Sequence, residues 1–391
     1  MRLGLQLSPA RRVFASFAIY AFAMGNIFPR LGDVQVQMGV STGALGLGLI
    51  GMPCGTLLAL TFATPLLERI GFRRALLGAI PLMAALFAIA VQATNPLILF
   101  ILLIPVGIAI GCIEIIINTE ADRTEHLLGY RIMNRAHAFW SIGFFAAGLF
   151  GAQLAALGLS PQLHLALDVP LVALATALCL WAFQPALPRP GTNAKPPRFA
   201  APTAAILLLV VVTIPAMVLE GASMDWSAIY MRDTFGAGPF QAGIAVAFFA
   251  ASQAVMRFFA DGFVDRHSPA VVARALYVVL FAGCLTVTLS PLPLLSLAGF
   301  AAMGMGTSAI FPLAMSAAAQ RQDRAASVNI AAIAQFSFLL FLIGPPLLGT
   351  VAEHFGIRTS FGLWLPLIVL SLATAGALGH GRKVANGGVA I

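Results

Sequence analysis

Charge is the scarcest property of this sequence. Asp, Glu, Lys and Arg together make up 9% of its 391 residues, where a soluble domain carries about 25%. A soluble protein of this composition would have almost no surface to show to water. Lysine is nearly absent: Lys195 and Lys383 are the only two. The net charge of +8 therefore rests on arginine, and no basic stretch is interleaved with aromatics in the way nucleic-acid binding requires. There are four cysteines, Cys54, Cys112, Cys179 and Cys284. All fall inside apolar stretches, none forms a CxxC pair, and no histidine spacing suggests zinc. They read as buried thiols. Walker A, HExxH and Ser–His–acid patterns are missing. These absences argue against an enzyme, a metal site, a cofactor and an ATP-driven machine.

What remains is apolar. Hydrophobic residues make up 60% of the chain, and they gather into twelve segments: 13–32, 42–66, 75–93, 97–119, 132–157, 168–185, 203–228, 240–261, 270–290, 293–318, 326–352 and 359–379. Each reaches or approaches the ~20 residues a spanning helix needs. Arg11-Arg12 before an apolar run resembles a signal peptide. Cleavage at Ala21–Ala23 is rejected, because the run continues to Phe28 and removal would leave an odd number of spans. If the gaps are taken alternately, 19 of the Lys and Arg residues fall on the side of the N-terminus, and 3 (Arg30, Arg232 and Arg358) fall on the other. Positive residues stay cytoplasmic, so both termini are expected inside. The expected fold is an all-α membrane protein of twelve transmembrane helices.

The longest polar connection, Pro185 to Phe199, sits at the midpoint, and its Pro and Gly content suggests an extended linker. The halves repeat across it. Glu68-Arg69 and Asp265-Arg266 lie 197 residues apart, as do Gly46 and Gly243, and Gly107 and Gly304. Gly151 and Gly349 lie 198 apart. The expected division is a six-helix bundle over 1–184, a cytoplasmic linker over 185–202 and a second bundle over 203–391. Two pseudo-symmetric bundles are a plan common among secondary transporters, with the substrate site near the midplane between them.

The stretch Thr64 to Leu77, TPLLERIGFRRALL, resembles the loop signature that follows the second span of the major facilitator superfamily. Glu68, Arg69, Gly71 and Arg73 fit it, although Thr64 replaces the first glycine and Glu68 the usual aspartate. A degraded copy at Met256 to Ser268 carries Asp261, Asp265 and Arg266. The loop reads either as a charged latch, with Glu68 pairing to arginines or to a helix N-terminus in one conformation only, or as a topology signal. Within the superfamily, Arg131–Gly148, Leu219–Asp233, Gly304–Ala319 and Phe341–Gly349 resemble a bacterial inner-membrane branch called YbjJ-like, distantly similar to fucose permease. The resemblance implies the major facilitator fold, a bacterial inner-membrane location and, at Glu114, the counterpart of an acid on the fourth span implicated in proton coupling. The fifth-span proline signature of drug–proton antiporters is missing at Gly148–Gly151.

A carboxylate in hydrocarbon needs a partner, a proton or water. Glu114 and Asn118 lie i,i+4 on one helix face. Glu114 is a candidate proton carrier; the other reading is a structural acid paired to Arg or His. His137 and Trp140 share a face and suit a sugar or a flat ring, or pack two helices. Asn26 is a candidate substrate contact or an interhelical hydrogen bond. Glu220 is a candidate gate or site residue beside Gly221, or part of an interfacial cap. Gln253, Asn329 and Gln335 complete the candidate binding set.

The reading is a secondary active transporter, a monomer in the bilayer, that moves a small organic solute by alternating access with a proton as coupling partner. The polar set leans toward a sugar or polyol. An exporter of drugs or toxic metabolites is the alternative within transport. A membrane sensor is the alternative outside it.

Overall fold

The computed structural model describes residues 5–130, 132–187 and 200–379. Among the described residues it is helical throughout, with no strands. The predicted spans appear as α1 (Pro9–Gly25), α2 (Thr42–Phe62), α3 (Phe72–Ala90), α4 (Pro96–Leu128), α5 (Met133–Ala156), α6 (Pro161–Leu180), α7 (Ala204–Phe235), α8 (Pro239–Arg266), α9 (Pro269–Leu289), α10 (Pro293–Ala319), α11 (Ala326–Phe355) and α12 (Ile357–Gly379). All but α1 are long and apolar enough to cross a membrane. The arginines and lysines at 2, 131, 189, 195, 198, 382 and 383, which helped set the expected orientation, lie outside the described residues.

The helix starts follow local chemistry. Ser8, Asn95, Ser160, Thr203 and Ser268 each accept a backbone N–H of the first turn, and α1, α4, α6, α8, α9 and α10 have proline in that turn. Such caps satisfy orphan donors, and proline wastes none there. Two expected boundaries move for this reason. The sixth span begins at Pro161 and not 168, so His164 and Asp168 lie within it. The first ends at Gly25, because Pro29 enters a 3-10 turn, Phe28–Arg30, that leads into a short helix, Leu31–Met38.

Helix contacts are made by glycine, at the offset seen in the sequence. A Cβ on Gly107 of α4 would collide with the Met52 carbonyl of α2; a Cβ on Gly304 of α10 would collide with the Phe249 carbonyl of α8. Met52 and Phe249, like the two glycines, lie 197 residues apart. The first six helices join the last six mainly along α5–α8 and along α11 with the start of α2. Ala152 meets Gly243 on the first seam, and Gly46 packs against the Pro345 carbonyl on the second.

Candidate functional site

Near the middle of five helices, polar side chains converge from both halves of the chain. Glu114 of α4 accepts from the Asn118 amide at 2.8 Å. Tyr20 of α1, itself buried, interacts through its hydroxyl with Glu114 and with Trp140 of α5. Trp140 stacks on Phe144 with ring centroids 5.1 Å apart. The Arg257 guanidinium of α8 stands 5.8 Å over the Trp140 ring. Arg257 donates to Ser141 Oγ at 2.8 Å, to the Ser308 carbonyl at 3.2 Å and to Glu220 Oε1 at 3.3 Å. Gln253 donates to the same Glu220 oxygen at 2.9 Å and accepts from Ser141 at 3.2 Å. Polar and aromatic side chains thus line a path from Glu114 to Glu220. It crosses between the halves where Ser141 and Trp140 meet α8.

This path is neither sealed nor on the outer wall. Glu114, Asn118, His137, Trp140, Glu220 and Arg257 are all half-buried, while Ser141 and Gln253 beneath them are buried. A carboxylate on an apolar helix is costly unless it faces protein or water, and Glu114 faces Tyr20 and Asn118. His137 meets Phe17 edge-on with centroids 5.1 Å apart, so its ring packs α5 against α1 beside the path.

Other predicted residues stand elsewhere. Asn26, at the end of α1, donates to Asp168 Oδ2 at 3.0 Å and meets His164 Nε2 at 3.1 Å, all three buried. Asn26 Nδ2 also donates to the Phe22 carbonyl at 2.9 Å, which fixes the amide orientation, so its carbonyl accepts from His164. Asn329 donates to Asp323 at 2.8 Å near the start of α11, and Gln335 accepts from the Ala200 amide at 3.1 Å. Gln335 thus holds the end of the linker region, and Asn329 holds the loop before α11, whose Asp323 also accepts from Thr203. In the loop signature, Glu68 and Arg69 are exposed and make no hydrogen bond or ion pair among the described residues. Gly71 turns the chain at φ 84°. Arg73 donates to the Trp181 carbonyl at 3.0 Å and lies over its ring. Arg266 is exposed in the last turn of α8, and the side chains of Asp261 and Asp265 lie outside the described residues.

In the sequence Arg257 counts among the arginines that set topology and also stands with Gln253 among the polar residues of the eighth span; the structure places it on the central path. The signal was its i,i+4 spacing from Gln253. Tyr20, Ser141, His164 and Asp168 were missed. The last two share one face of α6 and would have been found had Ser160-Pro161 been read as a helix start.

The halves meet tightly at one end. Thr42 donates to the Gly349 carbonyl at 3.1 Å, Glu353 accepts from Ser41 at 2.8 Å, and Arg232 donates to the Gly32 carbonyl at 2.9 Å and to Gln35 at 2.7 Å. Past Gly51, α2 has little contact with α11. The polar path therefore lies beneath a sealed end and above one where these two helices part.

Comparison with known proteins agrees with this geometry. The family model described as the Major Facilitator Superfamily matches residues 210–386. An uncharacterized transporter of Sinorhizobium fredii is 29% identical over 370 residues, covering 93% of this chain and 97% of its own. An uncharacterized MFS-type transporter of Yersinia pestis is 25% identical, covering 93% and 94%. Among solved structures, a mutant form of the nucleoside transporter NupG superposes with TM-score 0.70 at 15% identity, covering 96% of this chain and all of that one. The chain is a multi-pass membrane protein with the fold of the major facilitator superfamily, and it resembles transporters of that superfamily in sequence.

Proposed function

We propose that the chain is a secondary active transporter that carries a small organic solute by alternating access, coupled to protons through Glu114. One observation supports this above the others: a half-buried carboxylate, midway along its helix, beside a cluster of polar and aromatic side chains that reaches a second carboxylate in the other half of the chain. In this reading 1–184 and 203–391 move as two bodies about the linker 185–202, in a bacterial inner membrane, as a monomer with both termini cytoplasmic. The sealed end then faces outward, and the path is reached from the cytoplasm. Glu114 takes up a proton on one side and gives it up on the other, as only one end is open at a time. Tyr20, Asn118, His137, Trp140, Glu220 and Gln253 offer carboxylate, amide and hydroxyl groups beside aromatic faces, a set suited to a sugar or polyol. A nucleoside, named for the NupG neighbour, presents ribose hydroxyls of the same kind.

The test is uptake into proteoliposomes from a panel of sugars, polyols and nucleosides under an imposed pH gradient. Glu114→Gln is expected to abolish accumulation while leaving downhill exchange of the same solute. A variant that concentrates solute as the parent does would reduce Glu114 to a structural acid.

A further inference from the structure

The side of α7 that faces the first half carries a carboxylate the central path does not use. With about 3.6 residues per turn, Gly221, Asp225 and Arg232 fall on one stripe of that helix. Arg232 reaches the Gly32 carbonyl and Gln35 of the first half. On one flank of the stripe, Trp226 lies against Gly349 of α11. On the other, Glu220 accepts from Gln253 and Arg257 of α8. Asp225 therefore points between α8 and α11, toward the first half. It stands ~7 Å along the helix axis from Glu220 and ~10 Å short of Arg232. That height is the roof of the central path, beneath the sealed end. Asp225 is 8% exposed and makes no hydrogen bond or ion pair among the described residues. A carboxylate so placed needs a counter-charge, a proton or water, and the guanidiniums of the path and the seal are engaged elsewhere. Arg232 is held by Asp233, the Gly32 carbonyl and Gln35, Arg30 by Asp33 and the Leu159 carbonyl, and Arg257 by Glu220. Path and roof together set three carboxylates, Glu114, Glu220 and Asp225, against the one guanidinium of Arg257. Glu220 takes that guanidinium, and Glu114 has the neutral partners Tyr20 and Asn118. The space between them is short of positive charge.

We propose that the solute supplies the missing charge: the site takes a polyhydroxy solute that bears a protonated amine, an amino sugar or amino polyol, with its ammonium group on Asp225. Its hydroxyls then meet the amide, carboxylate and aromatic groups below. The proposal rests on the transporter reading above and names its solute class. A neutral sugar would leave the roof carboxylate unpaired once water is shut out, and a carboxylate-bearing solute would add a further negative charge. An ammonium ion held by a desolvated carboxylate gains a charge-assisted hydrogen bond that a hydroxyl cannot match.

Charged thiol reagents read the potential under the roof without a known solute. Gly221, one turn from Asp225 on the same stripe, is half-buried, and a Cβ there meets only the Phe341 ring at 3.5 Å, an ordinary contact, so Gly221→Cys fits. The full chain is treated with ammonium- and sulfonate-bearing methanethiosulfonates, labelling at residue 221 is followed by mass spectrometry, and both rates are normalised to a free thiol in the same buffer. The ammonium reagent is expected to react about tenfold faster, the scale of a unit charge roughly 6 Å away in a wet cavity. Adding Asp225→Asn is expected to remove most of that preference, and Asp225→Glu to keep it. A normalised ratio near one in Gly221→Cys alone overturns the proposal, because the roof carboxyl is then neutral when the site is empty. No labelling by either reagent overturns it as well, because the stripe then does not face the path. Binding is read by thermal shift with glucosamine and 1-amino-1-deoxysorbitol against glucose and sorbitol. The amines are expected to raise the melting temperature of the parent and not of Asp225→Asn. A shift from the neutral members alone, or from none of the four, overturns the solute class. If the amines bind through Asp225 but nothing accumulates under a pH gradient, the cation site stands and the coupled-transport reading fails.

Discussion

Breaking the Glu220–Arg257 pair measures how firmly the central path is held within the second half. The pair is 3.3 Å apart, with side-chain exposures of 16% and 14%. At that distance an effective dielectric of about 20 gives a gross attraction of about 5 kcal/mol. Desolvation of two partly buried ions offsets most of it. The residue expected from a charged hydrogen bond is about 1.5–3 kcal/mol. Arg257→Gln should cost the more of the two single changes, about 3 kcal/mol, because it also loosens Ser141 and the Ser308 carbonyl and leaves Glu220 with Gln253 alone. Glu220→Gln should cost less, about 1–2 kcal/mol, since Arg257 keeps both of those acceptors. The assay is a double-mutant cycle by chemical unfolding in detergent micelles. A double variant less destabilised than the sum by about 1.5 kcal/mol or more supports the pairing. If the single effects add to within about 0.5 kcal/mol, the two side chains are not coupled and the path described here is broken at that step.

Two other outcomes follow from contacts already given. Gly107→Ala drives a Cβ into the Met52 carbonyl and should cost about 1–3 kcal/mol, whereas Gly78→Ala in α3, where a Cβ meets nothing within 4 Å, should stabilise by about 0.5–1 kcal/mol; melting temperatures of the two variants, measured side by side, check the sign of each. Asn329 and Thr203 donate to Asp323 and hold its carboxyl below the ordinary value of 3.8, so its contribution is complete above that value and is lost as pH falls through the lowered one; Asp323→Asn should flatten the acid limb of a melting-temperature profile and leave the neutral region unchanged.

Much of the frame was legible because it depends on local composition. Apolar runs of spanning length mark the helices, and the glycine offset marks the repeat: Gly107 and Gly304 do meet equivalent carbonyls. Glu114 and Asn118 were legible as a pair because i,i+4 spacing decides who meets whom on one helix. The rest of the site was not, since its partners come from distant sequence. Nothing near Arg257 names Glu220 or Ser141. Only the crossing of α5, α7 and α8 does. Asn329 and Gln335 looked alike as polar residues in an apolar helix, yet one bonds Asp323 in the loop before α11 and the other Ala200 at the end of the linker. The sixth span was started late, at 168, because Ser160-Pro161 was not read as a helix start, and His164, which is buried, was left outside it.

The amide at position 26 shows what such a buried pairing demands of the genetic code. Its nitrogen must give to an acid and its oxygen must take from an imidazole, on opposite sides of one small group. Aspartate would set a second acid against Asp168, alanine would orphan both neighbours, and glutamine would carry one carbon too many for a site with 0% exposure. No single replacement meets all three conditions, so the first helix is moored to the sixth by a residue without a synonym.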